Sequence, residues 1–356
     1  MRILHLAKYY PPTKGGMETH ISTLCEELSS QGHDVTCYAF GQVKENTKGV
    51  NVKIFKSLFK TPPFSPALLW TLLTNRNKFD IVHVHMPNPW VELCALIAKP
   101  KKLVASYHSD IIGKRGASLY LPFQRILLRR ANAIISASKQ YSQTSDQLRR
   151  FHSKITLIPY GITPLAISDT QLVKEIRSRS KGPIYLFVGR LVHYKGVRYL
   201  IEAMGSTDGT LIIVGDGPLK KELADLVRSL KLSDKIVFAQ NVTDEQLPSF
   251  YEACDVFILP SINRAEGFGI VQLEAMMRAK PVISTRLGTG TDEINIHGKT
   301  GLTVEPENPK QLSDAMNTLD RDPLLRIALG KEAKKNASKY SASRMTRDIL
   351  AIYRTI

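Results

Sequence analysis

Glu266-Gly267-Phe268-Gly269-Ile270-Val271-Gln272-Leu273-Glu274 places two carboxylates eight positions apart around a glycine-rich entry to a helix. Glycine lets a backbone approach a ligand closely, and the first helical turn exposes unpaired N–H groups at the positive end of the dipole. Glu266 falls in the loop and Glu274 in the early turns of the helix. One carboxylate can then accept hydrogen bonds from sugar hydroxyls and the other from a ribose, with a diphosphate lying over the amides between them. Two glutamates beside a helix start also serve as caps and dipole partners, a reading this motif alone leaves open.

Working outward, short apolar or β-branched runs alternate with helical patterns along the chain. They are Arg2 to Ala7, Asp34 to Tyr38, Ile81 to Val84, Leu103 to Ser106, Ala133 to Ala137 and Ile155 to Ile158. The pattern restarts with Ile184 to Val188, Thr210 to Val214, Lys235 to Phe238, Val256 to Leu259 and Pro281 to Ser284. Such runs lack strict two-residue alternation, so they read as strands covered on both faces, the parallel sheet of an α/β fold. Two doubly wound sheets are expected, in domains 1–165 and 166–340, with a closing amphipathic helix over 341–356. Its stripe is Met345, Ile349, Ile352 and Tyr353. Ligands of such sheets bind beyond the carboxyl ends of strands, so two facing sheets predict a cleft between domains.

The chain has 356 residues, 43% of them hydrophobic, enough for two cores of ordinary size. It has neither an apolar run of eighteen residues nor a secretory leader at Met1-Arg2-Ile3-Leu4, and the expected compartment is the cytosol. Cys25, Cys37, Cys94 and Cys254 are scattered, against both a disulfide framework and a zinc site. The formal charge is +17, of which residues 1–160 carry +13. That asymmetry points to an anionic partner for the first half, a nucleic acid or an acidic leaflet. Lys99, Lys101 and Lys102 and then Arg125, Arg129 and Arg130 form its clusters, each of which alone reads as solvated surface.

Other strand ends carry further candidates. Gly189-Arg190-Leu191-Val192-His193-Tyr194-Lys195-Gly196 follows one strand with two cations suited to a departing diphosphate. Gly15-Gly16 follows the first strand, and Gly215-Asp216-Gly217-Pro218 lacks the spacing of a dinucleotide fingerprint. Asp320-Arg321-Asp322 precedes Pro323 and reads as a turn, not as a D-x-D metal site. His83 and His85 share a strand face, yet two histidines without a third ligand make a weak metal site.

In this order the motifs resemble those of the family GT4 glycosyltransferases, retaining enzymes of the GT-B fold. The residues that carry the resemblance are Gly15-Gly16-Met17-Glu18, Tyr107-His108-Ser109-Asp110, Gly189-Arg190 through Lys195-Gly196, Gly215 to Pro218, and Glu266 with Glu274. The resemblance implies two Rossmann-like domains, a C-terminal helix crossing back to the first, and a nucleotide-sugar donor. It implies that Gly189, Arg190 and Lys195 contact the donor diphosphate, that Glu274 holds the ribose and that Glu266 holds sugar hydroxyls. Gly267, Phe268 and Gly269 form the donor loop, Ile270 and Val271 offer amides to the distal phosphate, and Asn241-Val242 frames the base. Gly15 and Gly16 lie near the phosphates, and His108 lies beside the anomeric centre. No cofactor and no metal is implied.

Ser109-Asp110 and the long loop Gly288-Thr289-Gly290-Thr291-Asp292-Glu293 depart from the family's usual text and leave donor choice open between GDP- and UDP-hexoses. The stretch from Arg264 to Gly269 resembles bacterial O-antigen and polysaccharide mannosyltransferases. Phe55 to Leu73, interrupted by Pro62, Pro63 and Pro66, and the basic helix Tyr120 to Arg130 are candidates to lie on an anionic membrane and meet a lipid-linked saccharide. The expected place is therefore the inner face of the plasma membrane. Two rival readings are a sugar-nucleotide epimerase and a basic nucleic-acid-binding protein. Arg190→Ala, Lys195→Ala and Glu274→Ala are each expected to cut turnover by orders of magnitude with the fold intact.

Overall fold

A computed structural model describes residues 1–43, 46–59, 63–111 and 117–356. Pro62 lies outside the described residues. The chain divides into two compact units: Met1–Thr163 with Ser341–Ile356, and Pro164–Tyr340.

The first unit is built on seven parallel strands: β1 (Arg2–Tyr9), β2 (Asp34–Phe40), β3 (Asn51–Phe55), β4 (Ile81–Met86), β5 (Leu103–Tyr107), β6 (Ala133–Ser136) and β7 (Ile155–Leu157). Their order across the sheet is β3-β2-β1-β4-β5-β6-β7. One face packs against the helices Pro66–Asn75, Pro89–Ala98 and Ala117–Arg130 through Leu68, Leu72, Val91, Cys94, Leu127 and Leu128. The other packs against Gly16–Ser30 and Ala342–Thr355 through Ile21, Leu24, Met345 and Ile349. Because both faces are covered, β4 and β5 are buried at every position.

The last helix is thus part of the first unit. Ser341 caps it, its hydroxyl accepting from the Arg344 N–H at 3.3 Å, and Met345, Ile349, Ile352 and Tyr353 are buried. Only glycine fits at position 161, where a Cβ would collide with the Ser341 carbonyl oxygen. Tyr353 reaches through the helix layer to the sheet, its hydroxyl hydrogen-bonded to His83 Nδ1 at 2.5 Å.

The second unit has six parallel strands: β8 (Ile184–Val188), β9 (Thr210–Val214), β10 (Ile236–Ala239), β11 (Val256–Leu259), β12 (Val282–Thr285) and β13 (Gly301–Val304). Their order is β10-β9-β8-β11-β12-β13. Two strands, β3 and β13, go beyond the sequence reading. Both are sheet edges, and an edge strand with one neighbour can be short, or half exposed as β3 is, without a long apolar run.

In both sheets the order reverses once, between β1 and β4 and between β8 and β11. At such a point the loops leave in opposite directions and open a crevice at the carboxyl ends of the two strands. The Gly189–Lys195 loop follows β8, and the Ser261–Glu266 loop follows β11. Asp320-Arg321-Asp322 lies at the junction of the helices Pro309–Arg321 and Pro323–Ala337, where the Asp322 carboxylate accepts from the Leu325 N–H at 2.9 Å and caps the second helix.

Candidate functional site

The crevice of the second unit is organised by a buried ion pair. Lys195 Nζ donates to Glu266 Oε2 at 2.5 Å, and both residues are only 8% exposed. Ser261, just past β11, donates its hydroxyl to the same carboxylate oxygen at 3.0 Å. Burial works against the charge on Lys195, but the Glu266 carboxylate outweighs it and holds the amino group above its usual range. Arg190, exposed on the same loop, lies close enough to oppose that charge.

Beyond Glu266 the chain enters the helix Ile270–Met277 through Gly269, whose φ of 75° is left-handed and whose missing side chain provides no cap. The first-turn amides of Ile270 and Val271 therefore have no side-chain acceptor. One turn on, Glu274 accepts from the Tyr251 hydroxyl at 2.6 Å. Burial raises its pKa, and the Tyr251 hydrogen bond works the other way.

The long loop after β12 braces this entry. The Gly290 N–H donates to the Gly267 carbonyl at 2.9 Å, and Arg264 donates to the Gly288 carbonyl at 3.0 Å. The Asp292 carboxylate accepts from the Gly288 N–H at 2.8 Å and holds the turn in shape. Asn241 and Val242 follow β10, Asn241 exposed with φ 52°. Gly189 thus lies against Lys195, and Lys195 pairs with Glu266; Gly267, Phe268, Gly269, Ile270, Val271 and Glu274 follow Glu266 along one segment of chain. Ser261 and Tyr251 go beyond the sequence reading, since nothing near either residue in the chain marks it as a carboxylate partner.

Gly15, Gly16 and His108 belong to the first unit. Gly15 precedes the helix Gly16–Ser30, and the Glu18 carboxylate folds back over the place where a Gly15 side chain would begin. A carboxylate therefore already lies at the helix end where an anion would bind. His108 is buried, with both ring nitrogens engaged: Nε2 with His85 Nδ1 at 3.0 Å and Nδ1 with the Tyr160 hydroxyl. Asp110 is tied into the same unit by the hydroxyls of Tyr107, at 2.8 Å, and Ser145, at 2.6 Å.

His108 is one of five buried histidines, with His5, His20, His83 and His85. Ring nitrogens of His5, His83 and His85 lie within 4.8 Å of one another, as do those of His20, His85 and His108. His83 and His85 thus do not stand alone, contrary to the sequence expectation, because the parallel register sets His5 of β1 opposite His83 of β4. Burial lowers the pKa of all five, to about 3 for His5 and His20. His20 stacks on Tyr160, ring centroids 4.1 Å apart, and neither of its nitrogens has a hydrogen-bond partner.

Residues 168–336 match the family model "Glycosyl transferases group 1", and residues 14–164 match "Glycosyltransferase Family 4". The chain is 31% identical to O-antigen chain mannosyltransferase C of Escherichia coli, across 100% of this chain and 99% of that one. The chain belongs to the family 4 glycosyltransferases. Another relative of this glycosyltransferase is a D-rhamnosyltransferase of Pseudomonas aeruginosa, 33% identical across 94% of this chain and 90% of that one. The fold is GT-B: the Anabaena protein HepE, solved with UDP and glucose, superposes with a TM-score of 0.84 at 22% identity, covering 100% of each chain. A glycosyltransferase leaves the nucleic-acid and epimerase readings without an observation to carry them.

The buried groups set the stability of both units. The ion pair bears on the expectation that Lys195→Ala leaves the fold intact, because removing one partner strands the other charge in the interior and costs stability. Lys195→Met should lower the free energy of unfolding by about 3–5 kcal/mol in urea melts, and adding Glu266→Gln should restore most of it. The histidines predict acid sensitivity. Since their folded pKa values lie below the unfolded value of 6.5, the unfolded chain binds more protons as pH falls, and stability is lost below about pH 6.5. His20→Phe, which keeps the stack on Tyr160, should recover about 2 kcal/mol at pH 5 and less at pH 8, read as a shift in urea midpoint.

Proposed function

We propose that this glycosyltransferase moves a hexose, mannose or a close relative of it, from a GDP- or UDP-sugar to a lipid-linked saccharide, with retention and without a metal. The observation that carries the proposal is the Lys195–Glu266 pair at the β8/β11 crevice, with an uncapped helix start and Glu274 directly beyond it.

Each group has a task in glycosidic cleavage. Negative charge grows on the diphosphate as the sugar departs, and Lys195 and Arg190 supply fixed positive charge there. The amides of Ile270 and Val271 receive the distal phosphate at the positive end of their helix. Glu274, steadied by Tyr251, accepts from the ribose hydroxyls. Glu266 accepts from sugar hydroxyls while Lys195 and Ser261 hold it. A carboxylate so engaged is a poor nucleophile, which favours front-face displacement: the acceptor oxygen bonds to the anomeric carbon, the bond to the diphosphate breaks, and the acceptor's proton passes to the leaving phosphate oxygen. The cations and the helix end take the charge that a metal would otherwise take. The tasks of Gly15, Gly16, His108, Asn241 and Val242 rest on the family resemblance, and the mannosyl preference on the Escherichia coli relative.

Exposed apolar side chains of the first unit support the lipid-linked acceptor. The helix Ala117–Arg130 turns Gln124, Leu127 and Leu128 inward and exposes Leu119, Phe123 and Ile126 on one stripe, with Arg129 beside it. Leu58, Phe59 and Trp70 are exposed around the helix Pro66–Asn75, and both helices pack on Pro89–Ala98. Among the described residues no helix is long and apolar enough to cross a membrane. Contact with the cytoplasmic leaflet by a polar-flanked apolar surface is the arrangement we favour.

Incubation with a panel of GDP- and UDP-hexoses, with and without a lipid-linked saccharide, should give acceptor-dependent release of nucleoside diphosphate. Arg190→Ala should lower kcat/KM by roughly a hundredfold or more; release of nucleotide from no donor, or an unchanged rate in that variant, counts against the proposal. For the membrane, the protein should pellet with vesicles containing anionic lipid, less with neutral ones, and Trp70→Ser with Phe123→Ser should weaken pelleting by about tenfold. Equal pelleting with and without lipid removes that part.

A further inference from the structure

Three imidazoles and a phenol of the first unit stand in one hydrogen-bonded file. His5 Nδ1 meets His85 Nε2 at 3.0 Å, His85 Nδ1 meets His108 Nε2 at 3.0 Å, and His108 Nδ1 meets the Tyr160 hydroxyl. All four side chains are buried. The sheet register produces the file. β1 sets His5 opposite His83, two residues before His85 on the same face of β4, and β5 sets Ser106 opposite His85, two residues before His108.

The spacing distinguishes a proton from a metal. Zinc bonds imidazole nitrogens at about 2.0–2.1 Å with tetrahedral angles, which sets them roughly 3.3–3.4 Å apart, wider than the 3.0 Å between these facing nitrogens. A shared proton fits that distance. The neighbouring rings complete the environment: His20 stacks on Tyr160, and His83 stacks on His85, ring centroids 4.5 Å apart, with its own nitrogens bonded to Tyr353 and to Ser106 at 2.7 Å.

A neutral imidazole carries one N–H and one acceptor nitrogen, so the file has only two self-consistent proton arrangements. In one, the Tyr160 hydroxyl donates to His108 Nδ1, His108 Nε2–H donates to His85 Nδ1, and His85 Nε2–H donates to His5 Nδ1, which leaves the His5 proton on Nε2, a buried nitrogen without a hydrogen-bond partner. In the other, every bond runs the opposite way, and His108 Nδ1–H donates to Tyr160. Any mixed arrangement sets two N–H groups or two lone pairs face to face away from water. His108 therefore cannot change tautomer alone.

We propose that His5, His85 and Tyr160 act together to select the tautomer and ring orientation of His108, which makes His85 and Tyr160 positioning residues for the transfer reaction. The proposal rests on the functional reading above only for the part assigned to His108 in hexosyl transfer. Burial, which keeps all three imidazoles neutral, preserves the file at neutral pH. With both His108 nitrogens taken up inside the file, the residues act by fixing where the His108 ring stands and how it is turned.

Tyr160→Phe is the informative variant, because it removes one oxygen and keeps the ring against His20. In the full chain labelled with 15N-histidine, long-range proton–nitrogen spectra report which nitrogen of each ring carries hydrogen, with His5→Gln, His85→Gln and His108→Gln used for assignment. The expected result is a coordinated change in the tautomers of His108, His85 and His5 in Tyr160→Phe, with kcat for hexosyl transfer lowered about tenfold and donor KM within about twofold of the wild type. A change confined to His108 overturns the proposal, as does an unchanged kcat. Stoichiometric Zn²⁺ that abolishes the N–H signals of the file also overturns it, in favour of a metal site. The spectra need no substrate, so failure of the file and failure of the transferase reading, which the donor panel tests, are distinguishable.

Discussion

Opposite charges held out of water between the ends of β8 and β11 organise the second unit. Lys195 and Glu266 meet at 2.5 Å where the order of the sheet reverses. A pair in such a place is stable only while both partners remain and the leftover hydrogen-bonding capacity is satisfied, and Ser261 supplies part of that. In the proposed reaction the same desolvation gives the pair its use. A cation in a low-dielectric crevice stabilises charge growing on a leaving group far better than one in water, and it is already in place before the reaction starts. On the proposed function, the structural and functional demands on Lys195 are therefore the same demand.

The helix that follows extends this logic along the chain. Gly269 enters it in a left-handed conformation and leaves its first amides uncapped, and Glu274 sits one turn on, with Tyr251 as its partner. On the proposed function, cation, amides and carboxylate follow the order of diphosphate and ribose in a nucleotide. The loop from Gly288 to Glu293, longer than the family's usual text, is bound to this entry by the Gly290 N–H on the Gly267 carbonyl and by the Arg264 side chain on the Gly288 carbonyl, and so belongs to the same frame.

The first unit has a different internal chemistry. Its sheet buries five histidines that remain neutral, and their rings are ordered by hydrogen bonds from one strand to the next. Tyr353 of the last helix joins that layer through His83, so the end of the chain is tied to the interior of its beginning. The cost is sensitivity to acid, since each buried imidazole resists the proton that the unfolded chain accepts.

Much was legible from residue order alone. Unalternated apolar runs determined two parallel sheets, because strands covered on both faces cannot tolerate polar alternation. Glycines beside carboxylates and cations at strand ends marked the loops that meet where the second sheet reverses its order, because local spacing controls a loop and the first turn of a helix. The edge strands β3 and β13 escaped notice, since their ladders depend on neighbours and not on their own hydrophobicity. What only the tertiary structure decided are the pairings across long separations: Lys195 with Glu266, Glu274 with Tyr251, and His5 with His85 and His108. Strand order and register bring these side chains together, and no local pattern encodes either; a lone lysine or histidine looks the same in the sequence whether its partner is water or a buried group on a distant strand.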